Sequence, residues 1–466
     1  MAQMIREEEV DVLVIGGGSA GIAAACTAAR NGARTMLVDA GPMIGGELLS
    51  GIPVDGCVSS RGEWVVGGFT RELFDECDRL GGYIGPLFDY RALHVVCVDP
   101  EIMKIAVINV VRKAGVRLLL YTFADDVVVK DGVVQGVVVL NKNSRTLVRA
   151  KVIIDCSGDG DIAAAAGAPF EVGNAETGDL QPVTMVFRMV GVDTERLLTF
   201  VRDHPEHFGL AEYLDIGMSK QEAANRLHAQ GLPKVFLVAD GPLMKQAIAA
   251  GDIYKSSMIA VTPVSLQRKE VSLNTTRIGN LDATRTDKLS AALPDLLDQV
   301  WQCVRFMQKY VPGFEKAQFS GLAPRIGIRE TRRIVGEYVL TGDDIMQARK
   351  FPDGIGKGCH ELDVHGSDTK HLRRTIKDGG SYDIPFGCLV PKGLKNVMVA
   401  GRCLSSTREA HSSARVMGTC MTMGQATGTA AAMAVSANRF EDIREIPVGT
   451  LRAKLQEQGA VLDGTY

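Results

Sequence analysis

The pattern of apolar and polar positions changes character several times along the chain. Val10 to Ile15 is an apolar run rich in β-branched residues. Gly16-Gly17-Gly18-Ser19-Ala20-Gly21 follows at once and leads into an alanine-rich stretch ending at Arg30. This order predicts strand, tight turn and helix. Asn31-Gly32 closes the helix, and Thr35 to Val38 predicts a second buried strand that ends at Asp39. The two strands are joined through a helix, so the unit is a parallel β-α-β crossover.

Further on, Pro100 to Ala114 has the spacing of an amphipathic helix and Val116 to Tyr121 that of a strand. Val127 to Leu140 reads as a hairpin turning at Asp131-Gly132, followed by an apolar strand from Ala150 to Ile154. Between about Pro169 and Gly321 the texture differs. Gln181 to Val190 and Met258 to Leu273 predict longer strands, and Lys220 to Gln230 and Ala291 to Tyr310 predict helices. A strand returns at Asn396 to Ala400, and a helix rich in Ala, Met and Gly is expected from Arg415 to Ser436. This order suggests three parts: residues 1–168 and 321–466 forming one domain, and an inserted α+β domain at 169–320 that would cap it and bind substrate.

The glycine turn carries chemistry because of its context. Gly16, Gly18 and Gly21 follow a strand, open a helix, and precede the acid Asp39. Gly16 permits the turn, Gly18 lets a diphosphate reach the backbone, and Gly21 lets the helix pack on the strand. The helix N-terminus offers N–H groups to anionic oxygens, and Asp39 would take ribose hydroxyls. The chain has 51 glycines in 466 residues, well above the ordinary frequency of about 7%, as expected where backbone must pass close to a bound group.

Composition narrows the function further. With 52 Lys and Arg against 55 Asp and Glu, there is no basic field to gather nucleic acid or an anionic membrane. The ten cysteines are scattered without a C-x-x-C pair, so no metal or cluster site is expected and reduced thiols are the simplest account. Met1 to Val10 is polar and acidic, and long apolar runs are lacking, so a cytoplasmic protein is expected.

Five further stretches come in order: Ile154-Asp155-Cys156-Ser157-Gly158-Asp159-Gly160-Asp161, Gln181-Pro182-Val183-Thr184, Gly327-Ile328-Arg329-Glu330-Thr331-Arg332-Arg333, Val397-Met398-Val399-Ala400-Gly401-Arg402 and Gly424-Gln425-Ala426-Thr427-Gly428. With them the chain resembles the FAD-dependent oxidoreductase family related to the flavoprotein subunits of fumarate reductase and succinate dehydrogenase. The resemblance implies an α/β protein, with a Rossmann-like FAD-binding domain and an inserted α+β substrate domain. It implies FAD contacts from Gly16, Gly18, Ser19, Ala20 and Gly21 at the first turn, from Asp39 and Ala40, and from Gly45, Gly46, Ser50 and Gly51. Ala124 would lie beside the adenine, Gly158 and Asp159 under the nucleotide, and Gly401 and Arg402 at the ribityl phosphate. Gly418 and Thr419 would sit on a helix whose positive end faces the flavin pyrimidine. Ile44-Gly45-Gly46-Glu47 lacks the histidine that carries flavin covalently in several relatives, so noncovalent FAD is expected. A thioether from Cys403 or a nearby thiol stays open.

A bound flavin would supply the redox chemistry, leaving the protein to place substrate and move a proton. Arg325, Arg329, Arg332 and Arg333 are dense, and Arg329 shares a helical face with Arg332 or Arg333 if the segment is helical. A carboxylate clamp and a set of structural ion pairs with Glu330 are equal readings. Asp363 and His365 stand at alternate positions of an extended segment, making His365 the first candidate for proton transfer and His411 the second. Tyr382 resembles a family position over the flavin, with packing as its plain reading. The expected activity is a dehydrogenase or reductase of a small organic substrate. The alternatives are a redox-neutral isomerase or hydratase, and a flavin-dependent RNA-modifying protein, which the charge balance disfavours. The electron acceptor and any homo-oligomer are left open.

Overall fold

The computed structural model describes residues 6–212, 217–366 and 371–464. Its main sheet is built on β1 (Arg6–Ile15), which leads through α1 (Ser19–Arg30) to β2 (Thr35–Val38). β1 pairs in parallel with β2 on one side, which in turn pairs in parallel with β3 (Arg117–Leu119). The hairpin is β4 (Phe123–Lys130) and β5 (Val133–Leu140), antiparallel to each other. The next strand, β6 (Arg145–Asp155), is long enough to do two things. Its first half pairs with β5, and its last residues pair in parallel with a strand from far downstream, while its other edge runs along β1. Val12, Leu13, Val14 and Ile153 are fully buried, as expected of strands covered on both faces.

A second sheet is antiparallel throughout. Its strands are β7 (Phe187–Val190), β8 (Val235–Val238), β9 (Met258–Ser265), β10 (Glu270–Asn274) and β11 (Gln318–Leu322), in the order β8-β9-β10-β7-β11. The helix α2 (Thr286–Tyr310) shares a buried core with it, including Leu296, Val304 and Phe306. Two expected strands are altered here. Met258 to Leu273 is a hairpin, because the polar Gln267-Arg268-Lys269 forms a turn with Lys269 at φ 49°. Gln181 to Val190 joins a ladder only from Phe187, and before it only single bridges form, Val183 to Ile278 and Thr184 to Gly327. Pro182 has no N–H to extend them.

The chain then runs through β12 (Leu362–His365) and returns to the main sheet as β13 (Val397–Val399), beside β6. After it come α3 (Arg408–Ala414) and α4 (Met417–Ser436): the helix expected from Arg415 to Ser436 is α4, and α3 is a further short helix before it, separated at Arg415-Val416. α4 packs along α1 at backbone distance: a Cβ on Gly424 would stand 2.1 Å from the Ala20 carbonyl oxygen, and one on Gly428 2.2 Å from that of Ala24. The glycines of this motif serve helix packing rather than a ligand.

Candidate active site

The register of the parallel strands brings their carboxyl ends together. Ile15 pairs with both Val38 and Asp155, and Asp155 with Val399. Gly16 to Ala20, Asp39, Ser157 to Asp159 and Ala400 to Arg402 therefore converge, as ligand sites of open α/β sheets do. All of them but Gly17 line one end of a cavity of about 420 Å³.

Each segment is held for a reason visible in the sequence. Gly16 has φ 96° and lies against the Cys156 carbonyl, which a Cβ would meet at 2.3 Å. The Asp39 carboxylate accepts from Gly17 N at 2.6 Å and Gly41 N at 2.7 Å. It thus shapes the turn while keeping lone pairs for a ribose. The Asp155 carboxylate accepts from the N–H groups of Ser157, Ile162 and Ala163, bending the chain so that Gly158 reaches φ 81°. Arg402 closes this wall, donating to Asp159 at 2.8 Å and to Thr331 Oγ1 at 2.7 Å.

Gly18 differs from these glycines. Its φ of −71° suits any residue, and an added Cβ would meet nothing within 4 Å. The space above it opens on the cavity at the start of α1, where a diphosphate needs room and N–H donors.

Several expected contacts lie off the cavity wall. Gly21 is covered by the Gly16 carbonyl oxygen, which an added Cβ would meet at 1.8 Å, and so packs helix on strand. Ala40 faces solvent, and Ala124 packs from β4 against the main-sheet core. Gly45 ties its N–H to the Gly17 carbonyl. Ser50 bonds the Glu47 carbonyl and Gly51 accepts from Ser272. From that loop Gly46, Glu47, Ile52, Pro53 and Asp55 reach the cavity instead. Gly418 is pressed against Gly56 and Cys57, and Thr419 is fully buried, so Val416 and Met417 present the start of α4.

The other end of the cavity is walled by β8, β9 and β10 and by charged side chains. The arginine segment is extended, not helical: Gly327 bridges Thr184, and Arg332 to Ile334 pairs with Phe170 to Val172. Side chains therefore diverge. Arg333 forms a buried pair with Glu330 at 2.7 Å, and Arg332 pairs with Asp161, while Arg325 and Arg329 both reach the cavity. Arg329 donates to the Pro182 carbonyl oxygen at 2.8 Å, and burial with Arg415 nearby lowers its pKa to about 10. Among the described residues the Arg415 side chain reaches only the Gln181 amide oxygen, at 3.4 Å, and its Nε is buried without a partner. Among the described residues neither guanidinium has a carboxylate within ion-pair distance.

His365 lines the cavity with its Nε2 3.1 Å from Asp363, and burial lowers its pKa to about 4. His360, just before β12 on the same wall, is a residue that sequence spacing does not single out. Its Nδ1 lies 2.8 Å from the Glu361 carbonyl oxygen, which makes Nδ1 the donor and leaves Nε2 as an acceptor. Ser413 holds the His360 carbonyl, and Tyr382 holds Ser413 at 2.8 Å. Tyr382 is thus fully buried packing that supports His360, not a residue of the cavity wall. His411 also stays off the wall: it is fully buried in α3 with Nε2 2.8 Å from the Arg402 carbonyl oxygen.

A family profile described as FAD dependent oxidoreductase matches residues 11–456. The chain belongs to that family. A curated relative, the sarcosine oxidase subunit alpha of Rhizobium meliloti (strain 1021), is 46% identical over 67 residues, which are 14% of this chain and 6% of the relative. Two solved structures are similar at low identity. A geranylgeranyl bacteriochlorophyll reductase-like protein of Thermoplasma acidophilum aligns over 97% of this chain and 83% of its own, with 15% identity and a TM-score of 0.44. A myxobacterial chondrochloren halogenase aligns over 97% and 79%, with 12% identity and a TM-score of 0.46.

FAD is therefore the cofactor of this oxidoreductase, and the converging strand ends fit it. Gly16 to Ala20 with the α1 N-terminus would hold the diphosphate, Asp39 the ribose, and Gly158, Asp159, Gly401 and Arg402 the middle of the molecule. Among the described residues no helix is long and apolar enough to cross a membrane.

Proposed function

We propose that this FAD-dependent oxidoreductase is a dehydrogenase or reductase of a small organic acid, whose carboxylate is held by Arg329 and Arg415. The supporting observation is the pair of half-buried guanidiniums on the cavity wall with no carboxylate at ion-pair distance among the described residues. A cation partly withdrawn from water and left unpaired is costly, and a planar carboxylate satisfies the guanidinium fork in two bonds. FAD supplies the hydride acceptor or donor when bound.

The chain supplies position and proton. His360 is fixed in one tautomer with Nε2 open to the chamber, which suits a base. His365, kept neutral by burial against the pull of Asp363, orients that acid beside Arg373. The arginine clamp accords with the resemblance to fumarate reductase flavoproteins. In this reading residues 169–320 form the substrate-binding insertion, the FAD is noncovalent and the protein acts in the cytoplasm.

The test is anaerobic mixing of the yellow protein with pools of small carboxylic acids while the flavin band is followed. One pool should bleach it, or reoxidise flavin reduced beforehand. Arg329→Met should remain yellow and lose that response. A response only to neutral or cationic compounds would overturn the reading.

A further inference from the structure

The far end of the chamber is built around a buried lysine. Lys234 precedes β8, and the register that pairs Val235 with Val261 sets it beside Thr262. It is 2% exposed, lines the cavity, donates to Thr262 Oγ1 at 3.2 Å and lies 4.2 Å from the centre of the Phe236 ring. An ammonium carries three donors, and Thr262 is its only hydrogen-bond partner among the described residues.

The neighbouring acids do not neutralise it directly. Asp89 spends one carboxylate oxygen on the N–H groups of Arg91, Ala92 and Leu93, at 2.7 to 2.9 Å. Asp55 has a buried oxygen without a partner, and burial raises its pKa, weakening it as a countercharge. Burial without an ion-pair partner lowers the Lys234 pKa, so the chamber by itself holds the ammonium poorly. A ligand oxyanion would satisfy it.

β9 gives the scale of the chamber. Just before it Ser257 accepts from Arg277, whose charge acts on Arg329. Thr262 stands five residues further along, about 16 Å of strand. Between them Met258 and Ala260 line the cavity, with Phe236 paired opposite Ala260. Arg329 and Arg415 stand at one end, Met258 and Ala260 lie between, and at the other end the Lys234 ammonium shares the Phe236 ring with Arg91, which is itself paired with Glu212.

We infer that Lys234 is a second anchoring point, seating an oxyanion at the end of the substrate remote from Arg329 and Arg415. The substrate is then an elongated diacid with an apolar middle, an assignment that rests on the arginine clamp proposed above.

Flavin difference spectra of the purified flavoprotein, titrated with straight-chain monocarboxylates and α,ω-dicarboxylates of matched and increasing length, test this. At the best length the diacid should bind about ten- to a hundredfold more tightly than the monoacid, the value of one charge-assisted hydrogen-bonding end. Lys234→Met should reduce diacid affinity to that of the monoacid, and Lys234→Arg should restore most of it. A diacid advantage that survives Lys234→Met overturns the inference. Monoacid binding untouched by Arg329→Met, with the Lys234 effect intact, overturns the clamp instead. Crystals of the wild-type flavoprotein grown with the best diacid need no folded variant: a carboxylate on the Lys234 ammonium supports the assignment, and a ligand end elsewhere refutes it.

Discussion

Gly18→Val separates cofactor binding from folding. The backbone at Gly18, φ −71° and ψ −173°, is extended and open to a β-branched residue, and its Cβ would touch no atom of the chain within 4 Å. The apoprotein should therefore melt as the wild-type apoprotein does. The new side chain would occupy the space beside the α1 N-terminus, where the diphosphate takes backbone N–H bonds. Each charge-assisted bond contributes about 1.5–3 kcal/mol. Losing one or two costs about 3 kcal/mol, a roughly hundredfold weaker Kd for FAD. Gly21→Val is the contrast: its Cβ would stand 1.8 Å from the Gly16 carbonyl oxygen, so the β-α-β unit itself must deform. The assays are the ratio of flavin to protein absorbance after purification, thermal melting of the apoproteins, and FAD titration by calorimetry. A Gly18→Val protein that purifies fully yellow would refute the assignment of the diphosphate site. One whose apo form melts as poorly as Gly21→Val would refute the claim that Gly18 is spare in the fold.

Other outcomes follow from the site. His360→Gln should slow flavin reduction by about a hundredfold or more with the flavin retained, while His365→Gln should act mainly on substrate affinity. The reverse order in stopped-flow traces would return the proton to His365. The His365 pKa is lower folded, at about 4, than unfolded, at about 6.5, so the unfolded chain binds more protons between those values. Stability then falls as pH drops from about 6.5 to about 4, by up to about 3 kcal/mol, and urea midpoints should show a flatter pH dependence for His365→Gln across that window. Glu330 is 1% exposed and meets Arg333 at 2.7 Å, Arg408 at 3.3 Å and the Gln181 N–H at 2.9 Å. Glu330→Gln should cost about 3 kcal/mol by leaving buried guanidiniums unpaired, and an unshifted denaturation midpoint would contradict that.

What was legible from sequence is what is local. The β-α-β unit shows because an apolar run, a glycine spacing and an acid within one short segment determine each other. The helix Lys220–Gln230 shows because Ser219 caps its start and Gly231 its end. The turn splitting Met258 to Leu273 was hidden, since Lys269 takes a left-handed conformation that glycine usually marks. Gly424 and Gly428 mark close backbone approach correctly, yet sequence cannot say whether helix or ligand makes that approach. The inner chamber is least legible. Lys234 lies just before a four-residue strand, where a lysine ordinarily meets solvent, and only the folding of Asp89, Asp55 and Thr262 around it from distant segments buries it. His360 depends likewise on Glu361, Ser413 and Tyr382 to fix its tautomer and place. A cofactor cradle made of backbone leaves its spacing in the chain, whereas a substrate chamber assembled from single side chains on separate elements leaves almost none.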